Sequence, residues 1–194
     1  IGRTFGDHRV IGGVVHVSGH VPEPGLIAQS GGLRYVLGAP GGGTNADVDE
    51  LAALFRRAGL APEVDEDVRA TIWLKLVNNA GLNPVSVMRR MSIKPLLAHP
   101  QARAHVHALM TEALAVGQAM GVVAGVDVDA RIAYAARLAD VKTSMLQDYE
   151  HARALELDPI VGAVIELAER YDVSVPHLRE AYAELAHAAA RAEN

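Results

Sequence analysis

Trp73-Leu74-Lys75-Leu76-Val77-Asn78-Asn79-Ala80-Gly81-Leu82-Asn83 is the stretch on which the reading of this chain turns. Lys75, Asn79 and Asn83 stand at i, i+4 and i+8, and at about 100° per residue they span roughly 80° of a helix, a single stripe. Ile72, Trp73, Leu76, Val77 and Ala80 surround that stripe with apolar groups. A cation and two amides lined up among such residues are costly unless they face a polar ligand or a partner. Amides both donate and accept, so the pair suits a ligand bearing carboxylate and hydroxyl groups. A lysine so placed can act as a general acid. Asn78 lies to the far side of Asn79 and is the weaker candidate. The alternative for the whole stripe is a solvated helix face, a common arrangement.

Upstream of this stretch the texture is strand-like. Val10 to Val17 reads as a buried strand, and Leu26-Ile27-Ala28 and Leu33 to Leu37 read as two more, with Pro22, Pro24, Gly25, Gly31 and Gly32 supplying turns. The Gly38–Gly43 loop follows and reads as a turn, because its spacing fits neither standard phosphate loop. Asn45 or Asp47 can cap a helix with Val48, Leu51, Leu54 and Phe55 on its apolar face, and Glu63-Val64 offers a last short strand. Three strands and one helix leave an open edge and an uncovered face, so residues 1–64 look like the tail of a larger α/β domain.

From Asp65 the sequence reads as helical. Asp65 caps a first helix to Asn83, where Pro84 limits continuation and begins a second with Val85, Val87, Met88 and Met91. Further helices are expected at Pro100–Met120, with Gly121 as its C′ residue, and at Asp129–Ala139, Ser144–Arg153, Pro159–Tyr171 and Pro176–Ala192. Asp158-Pro159 reads as an N-cap and N1 pair. The expected organisation is thus an incomplete α/β edge over residues 1–64 and an all-α domain over 65–194.

Composition narrows the function classes. Eighteen basic residues against 23 acidic give a net charge of −5, which argues against a phosphate-coating nucleic-acid binder. The absence of Cys excludes disulfides and thiolate metal sites and fits a cytoplasmic protein. No apolar run is long enough to span a bilayer, and no signal peptide opens the chain. The histidines do not form a metal set: His105 and His107 point apart on a helix, and His16 and His20 lack a carboxylate in register. The first residue is Ile1 rather than Met, which suggests a fragment or processed product.

Two later stretches carry polar chemistry. Lys142-Thr143-Ser144-Met145-Leu146-Gln147-Asp148 holds a capping-box pattern at Ser144 and Gln147. Twelve residues on, Glu156 sits between Leu155 and Leu157 and is expected to be partly buried, where it could receive a hydroxyl or pair with Lys75. Its alternative is a solvated loop carboxylate near a helix N-terminus.

In that order and at those intervals, Trp73-Leu74-Lys75-Leu76 with Asn79 and Asn83-Pro84, then Ser144 to Asp148, then Glu156-Leu157-Asp158 resemble the C-terminal signature of the ketopantoate reductase (2-dehydropantoate 2-reductase) family. Arg9 to Gly13 and the run from Pro24-Gly25 to Leu37-Gly38 resemble the last strands of its cofactor domain. The resemblance implies residual strands of a Rossmann-type domain followed by a helical domain like that of 6-phosphogluconate dehydrogenase. It implies Lys75 as the catalytic lysine, Asn79, Asn83, Ser144 and Glu156 as substrate-binding residues, and Glu156 also as a cofactor contact. It implies NADPH as cofactor, 2-dehydropantoate as substrate, pantothenate synthesis as the setting, and a homodimer.

The family's Gly-x-Gly-x-x-Gly loop and an active-site Asn would lie before residue 1, so this chain alone is expected to have little activity. Thr143 stands where the family usually has Ser, Leu155 where Thr is common and Val161 where Asn is frequent. The last two changes remove polar groups near Glu156 and leave open a sister reductase for another 2-oxo acid. A different class also remains open: a non-catalytic helical dimerisation module using the apolar faces of the Pro100–Met120 and Pro159–Tyr171 helices.

Overall fold

The computed structural model describes the whole chain except Thr44, Leu138, Ala139, Glu193 and Asn194. It divides into two compact units, Ile1–Ile72 and Trp73–Asn194.

The first unit opens with a short helix α1 (Gly2–Phe5) and holds a three-stranded sheet in the order β1-β2-β3. Strands β1 (Gly12–Glu23) and β2 (Leu26–Gly38) form an antiparallel hairpin closed at Pro24-Gly25, where Gly25 takes φ +89°. A positive φ after a proline is what such a tight turn demands of a glycine. Helix α2 (Ala46–Arg57) then leads to β3 (Glu63–Val64), which pairs parallel with β2 through Val36 and Leu37. Asn45 caps α2 as expected, its Oδ1 accepting from Asp47 N at 2.8 Å. Leu37, Ala39, Val48 and Ala52 form the core between sheet and helix, with Ile11 and Leu51 at its margin. Leu54, expected on the apolar face, is 45% exposed.

Two strands were expected where the structure has one. Gly31-Gly32 reads as a turn, yet β2 runs through it as an irregularity in the ladder with Gly32 at φ +67°. Any side chain there would strike the carbonyl of His16, so the pair is a bulge rather than a break. Opposite each other at the sheet's end, Gly12 and Gly38 leave room for the fully buried Val68.

Helix α3 (Val68–Arg89) begins the helical region and carries the candidate stripe. Its cap is Asp67, whose Oδ1 accepts from Ala70 N at 3.2 Å. Asp65, the expected cap, accepts instead from Asp67 N and the Thr71 hydroxyl. The expected stop at Pro84 is absent: α3 continues through it. An internal proline forfeits one backbone hydrogen bond and costs about 3 kcal/mol. Val85 and Val87, both buried just beyond it, supply the compensating packing.

The rest of the second unit is α4 (Ile93–Ala98), α5 (Pro100–Ala119), α6 (Val128–Arg137), α7 (Ser144–Glu150), a π turn (Asp158–Gly162), α8 (Ala163–Arg170) and α9 (Pro176–Ala192). Gly121 takes φ +69° just beyond α5, as its C′ role requires. The expected end of α6 at Ala139 lies outside the described residues. Helix α7 is capped one residue before the expected Ser144, by Thr143, whose Oγ1 accepts from Leu146 N at 3.1 Å. Asp158 does not cap a helix; its carboxylate accepts the Tyr182 hydroxyl. Val106, Leu109, Met110, Ala113 and Val116 of α5 and Val164 and Ala168 of α8 are buried within the chain. Those apolar faces, which suggested a two-fold interface, are therefore used inside the chain itself. No helix among the described residues is long and apolar enough to cross a membrane.

Candidate functional site

Three faces of α3 do different work. Trp73, Val77 and Ala80 are buried, and the Trp73 indole donates to the Ala113 carbonyl of α5 at 3.1 Å. Gly81 lies where a Cβ would meet the Met110 side chain, so α3 and α5 approach closely there. By helical geometry Lys75 then projects about 200° from Trp73, with Asn79 and Asn83 beside it. The core contacts fix the rotation of α3 and thereby aim the stripe.

Lys75 and Asn79 are half-buried, and Asn83 is 4% exposed. The Asn83 Nδ2 is buried and has no hydrogen-bond partner in the structure. Such an unpaired donor costs about 1–3 kcal/mol, which makes it a group prepared for something that binds.

Asn83 is also tied to the Ser144 segment. A relay runs from the Leu146 amide to Thr143 Oγ1, on to Ser86 Oγ at 2.6 Å, and from the Ser86 hydroxyl to the Asn83 carbonyl at 2.8 Å. Ser86 and Thr143 are buried, so this relay holds the start of α7 against the turn that carries Asn83. Thr143 keeps the hydroxyl of the serine usual in the resembling family, and capping is what that hydroxyl does here. Ser144 is the first residue of α7 and is exposed.

Glu156 departs from expectation. It lies on the connection between α7 and the π turn and is exposed rather than partly buried, although Leu157 beside it is buried. The apolar neighbours point their own side chains inward and leave the carboxylate outside. Leu155 is half-buried and Val161 fully buried.

Sequence reasoning set Asn78 aside and missed its partner. Arg131 of α6 donates from Nε and Nη2 to Asn78 Oδ1 at 3.1 and 3.0 Å, and from Nη2 to the Leu74 carbonyl at 2.9 Å. Arg131 is half-buried, and desolvation pulls its pKa below the usual guanidinium value. A single arginine in an amphipathic helix carries no signal for such a contact.

The donor set suits a 2-oxo acid: an ammonium, two amides and a hydroxyl. For a nicotinamide cofactor the fit is partial. The exposed Glu156 carboxylate can accept a ribose hydroxyl. In the Gly38–Gly43 loop the Gly42 amide is given to Ala39 O and the Gly43 amide to Glu66 O, both at 2.9 Å, so that loop does not cradle a phosphate. Two open clefts lie elsewhere, one of about 330 Å³ beside Glu166, Arg179 and Tyr182 and one of about 390 Å³ beside Arg89, His105 and His177.

The chain is similar to known proteins over most of its length. The chain is 39% identical over 176 residues to a 2-dehydropantoate 2-reductase of Mesorhizobium japonicum, covering 91% of this chain and 54% of that protein. A similar enzyme of Halobacterium salinarum is 30% identical over 158 residues, 81% of this chain and 52% of its own length. The chain thus spans about half the length of the curated relatives it matches. A crystal structure of 2-dehydropantoate 2-reductase from Methylococcus capsulatus superimposes with a TM-score of 0.89 at 31% identity, over all of this chain and 62% of that one. Residues 67–189, more than half of the chain and all of the candidate site, match the family model described as ketopantoate reductase PanE/ApbA C terminal, and the chain belongs to that family.

Proposed function

We propose that this chain supplies the substrate-binding half of an NADPH-dependent 2-dehydropantoate 2-reductase acting in pantothenate biosynthesis. The observation that carries the reading is the buried, unpartnered Asn83 amide on one stripe with Lys75 and Asn79. In this reading residues 1–64 are the tail of the cofactor domain, and 65–194 are the substrate and dimerisation domain of a cytoplasmic homodimer.

When bound, the nicotinamide supplies the hydride. The Lys75 ammonium stabilises the charge growing on the substrate ketone oxygen and gives it a proton. Asn79, Asn83 and the Ser144 hydroxyl hold the carboxylate and hydroxyl of the substrate, so that C2 is presented in one orientation. Glu156 accepts a hydroxyl at the solvent side of the site, from substrate or from the cofactor ribose.

A second reading, a sister reductase for another 2-oxo acid, is favoured by one observation. Leu155, half-buried, and Val161, fully buried, stand at sequence positions where the resembling family commonly has polar residues. Turnover of the full-length protein with NADPH and a panel of 2-oxo acids separates the two. Fastest kcat/KM with 2-dehydropantoate supports the first, and a preference for a less polar 2-oxo acid supports the second. Unchanged turnover in Lys75→Ala removes both.

A further inference from the structure

We infer that Arg131 is a positioning residue that holds the Lys75–Asn79 turn of α3 in register for catalysis; the inference rests on the reductase reading above. Its guanidinium grips two acceptors one helical turn apart, the Leu74 carbonyl at 2.9 Å and Asn78 Oδ1 at 3.0 and 3.1 Å. Leu74 immediately precedes Lys75, and Asn78 immediately precedes Asn79. By helical geometry both acceptors lie on the flank of α3 between its core face and the stripe, about 60–100° from Lys75. Arg131 therefore leaves the stripe unobstructed and resists rotation of the turn that bears it.

The contact needs an arginine. Two acceptors one turn apart match the planar, multi-donor edge of a guanidinium, whereas an ammonium is a single point charge. The grip is also anchored from behind. Asp127 Oδ1 caps α6 through Asp129 N and Ala130 N, and Ile132 is fully buried. Asp129 in turn is held by Arg103 of α5 at 3.0 Å, with His107 at 3.7 Å. Helix α5 also receives the Trp73 indole. The Lys75 turn is thus fixed from two sides, by the bond from Trp73 of α3 to α5 and by the grip of Arg131 from α6. Small displacements of a reacting group cost large factors in rate, so a fixed turn has catalytic consequences.

The test uses the full-length protein and the variants Arg131→Lys and Asn78→Ala, each alone and combined with Lys75→Ala. Readouts are kcat and KM for the 2-oxo acid and amide hydrogen exchange across residues 74–83. The expected result is faster exchange over that segment and a kcat about tenfold lower in each single variant. In the Lys75→Ala background the same substitutions should leave the residual kcat within twofold, because the group they position is gone. Wild-type kcat in both single variants, or an equal loss with and without Lys75, overturns the inference. Asn78→Ala keeps the test open should Arg131→Lys fold poorly. Normal turnover of Lys75→Ala instead defeats the reductase reading itself. In that case unchanged exchange over 74–83 separately defeats the grip.

Discussion

The Glu112 carboxylate of α5 closes the amino end of α9 at His177. Its Oε1 accepts the His177 amide at 2.9 Å and meets His177 Nδ1 at 2.6 Å, while Oε2 accepts the Leu178 amide at 2.9 Å. Pro176 has no amide to satisfy, so these are the next orphan donors of the helix, and a side chain from another helix caps them. At 9% exposure Glu112 is sheltered, and its negative charge sits at the favourable end of the α9 dipole.

Glu112→Ala should therefore destabilise the protein by about 3 kcal/mol, since it strips charged hydrogen bonds from the buried Leu178 amide and the part-buried His177 amide. Glu112→Gln keeps one acceptor oxygen and should lose about half as much. Urea unfolding measures both. Equal losses in the two variants would mean that packing, not the cap, is what Glu112 contributes.

Gly117 faces the Trp73 indole so closely that a Cβ would overlap Nε1 and stand 2.5 Å from Cδ1. Gly117→Ala should cost roughly 3 kcal/mol, combining overpacking with loss of the Trp73–Ala113 hydrogen bond. Trp73 is the chain's one tryptophan, so its fluorescence should shift to the red as the indole loses its partner. A stable variant with an unshifted spectrum would show that α5 can move away without penalty.

Asn83 presents the opposite case, a buried polar group whose removal should scarcely harm the fold. Its unpartnered Nδ2 carries a desolvation cost that Asn83→Ala relieves, offsetting the small cavity left behind. Stability should change by about 1 kcal/mol or less, while affinity for the 2-oxo acid falls about tenfold. A large stability loss with unaltered KM would assign Asn83 to the core instead of the site.

The helical half of the fold was legible because its signals are local. Apolar periodicity marked α5 and α9 to within a residue, and Asn45 and Gly121 did at their helix ends what their residue types favour. Pro84 and the Gly31-Gly32 pair misled for one shared reason: packing and pairing with distant segments overrode a strong local breaker. Lys75, Asn79 and Asn83 were legible as a stripe because one helix carries all three. The Ser86–Thr143 and Arg131–Asn78 contacts were not, since each joins residues more than fifty positions apart and nothing in either residue's surroundings names the other.

His105 gives the protein a pH response that follows from where it sits. It is half-buried on α5 in the cleft with Arg89 of α3 and with His177, Glu180 and Glu184 of α9. Desolvation lowers its pKa first, Glu180 and Glu184 oppose that, and the nearby His177 and Arg89 reinforce it. In the unfolded chain the imidazole titrates near its ordinary value of about 6.5. Below that pH the unfolded state takes up a proton that the folded state still refuses, so stability falls as pH drops from about 6.5 through the lowered folded pKa, and levels off beneath it. Above 6.5 the contribution is complete and constant. His105→Gln is neutral throughout, so its urea midpoint should fall less between pH 7.5 and pH 5 than that of the unaltered protein. Parallel midpoint curves for the two proteins over that range would show that the cleft leaves the imidazole as free to protonate as it is in the unfolded chain.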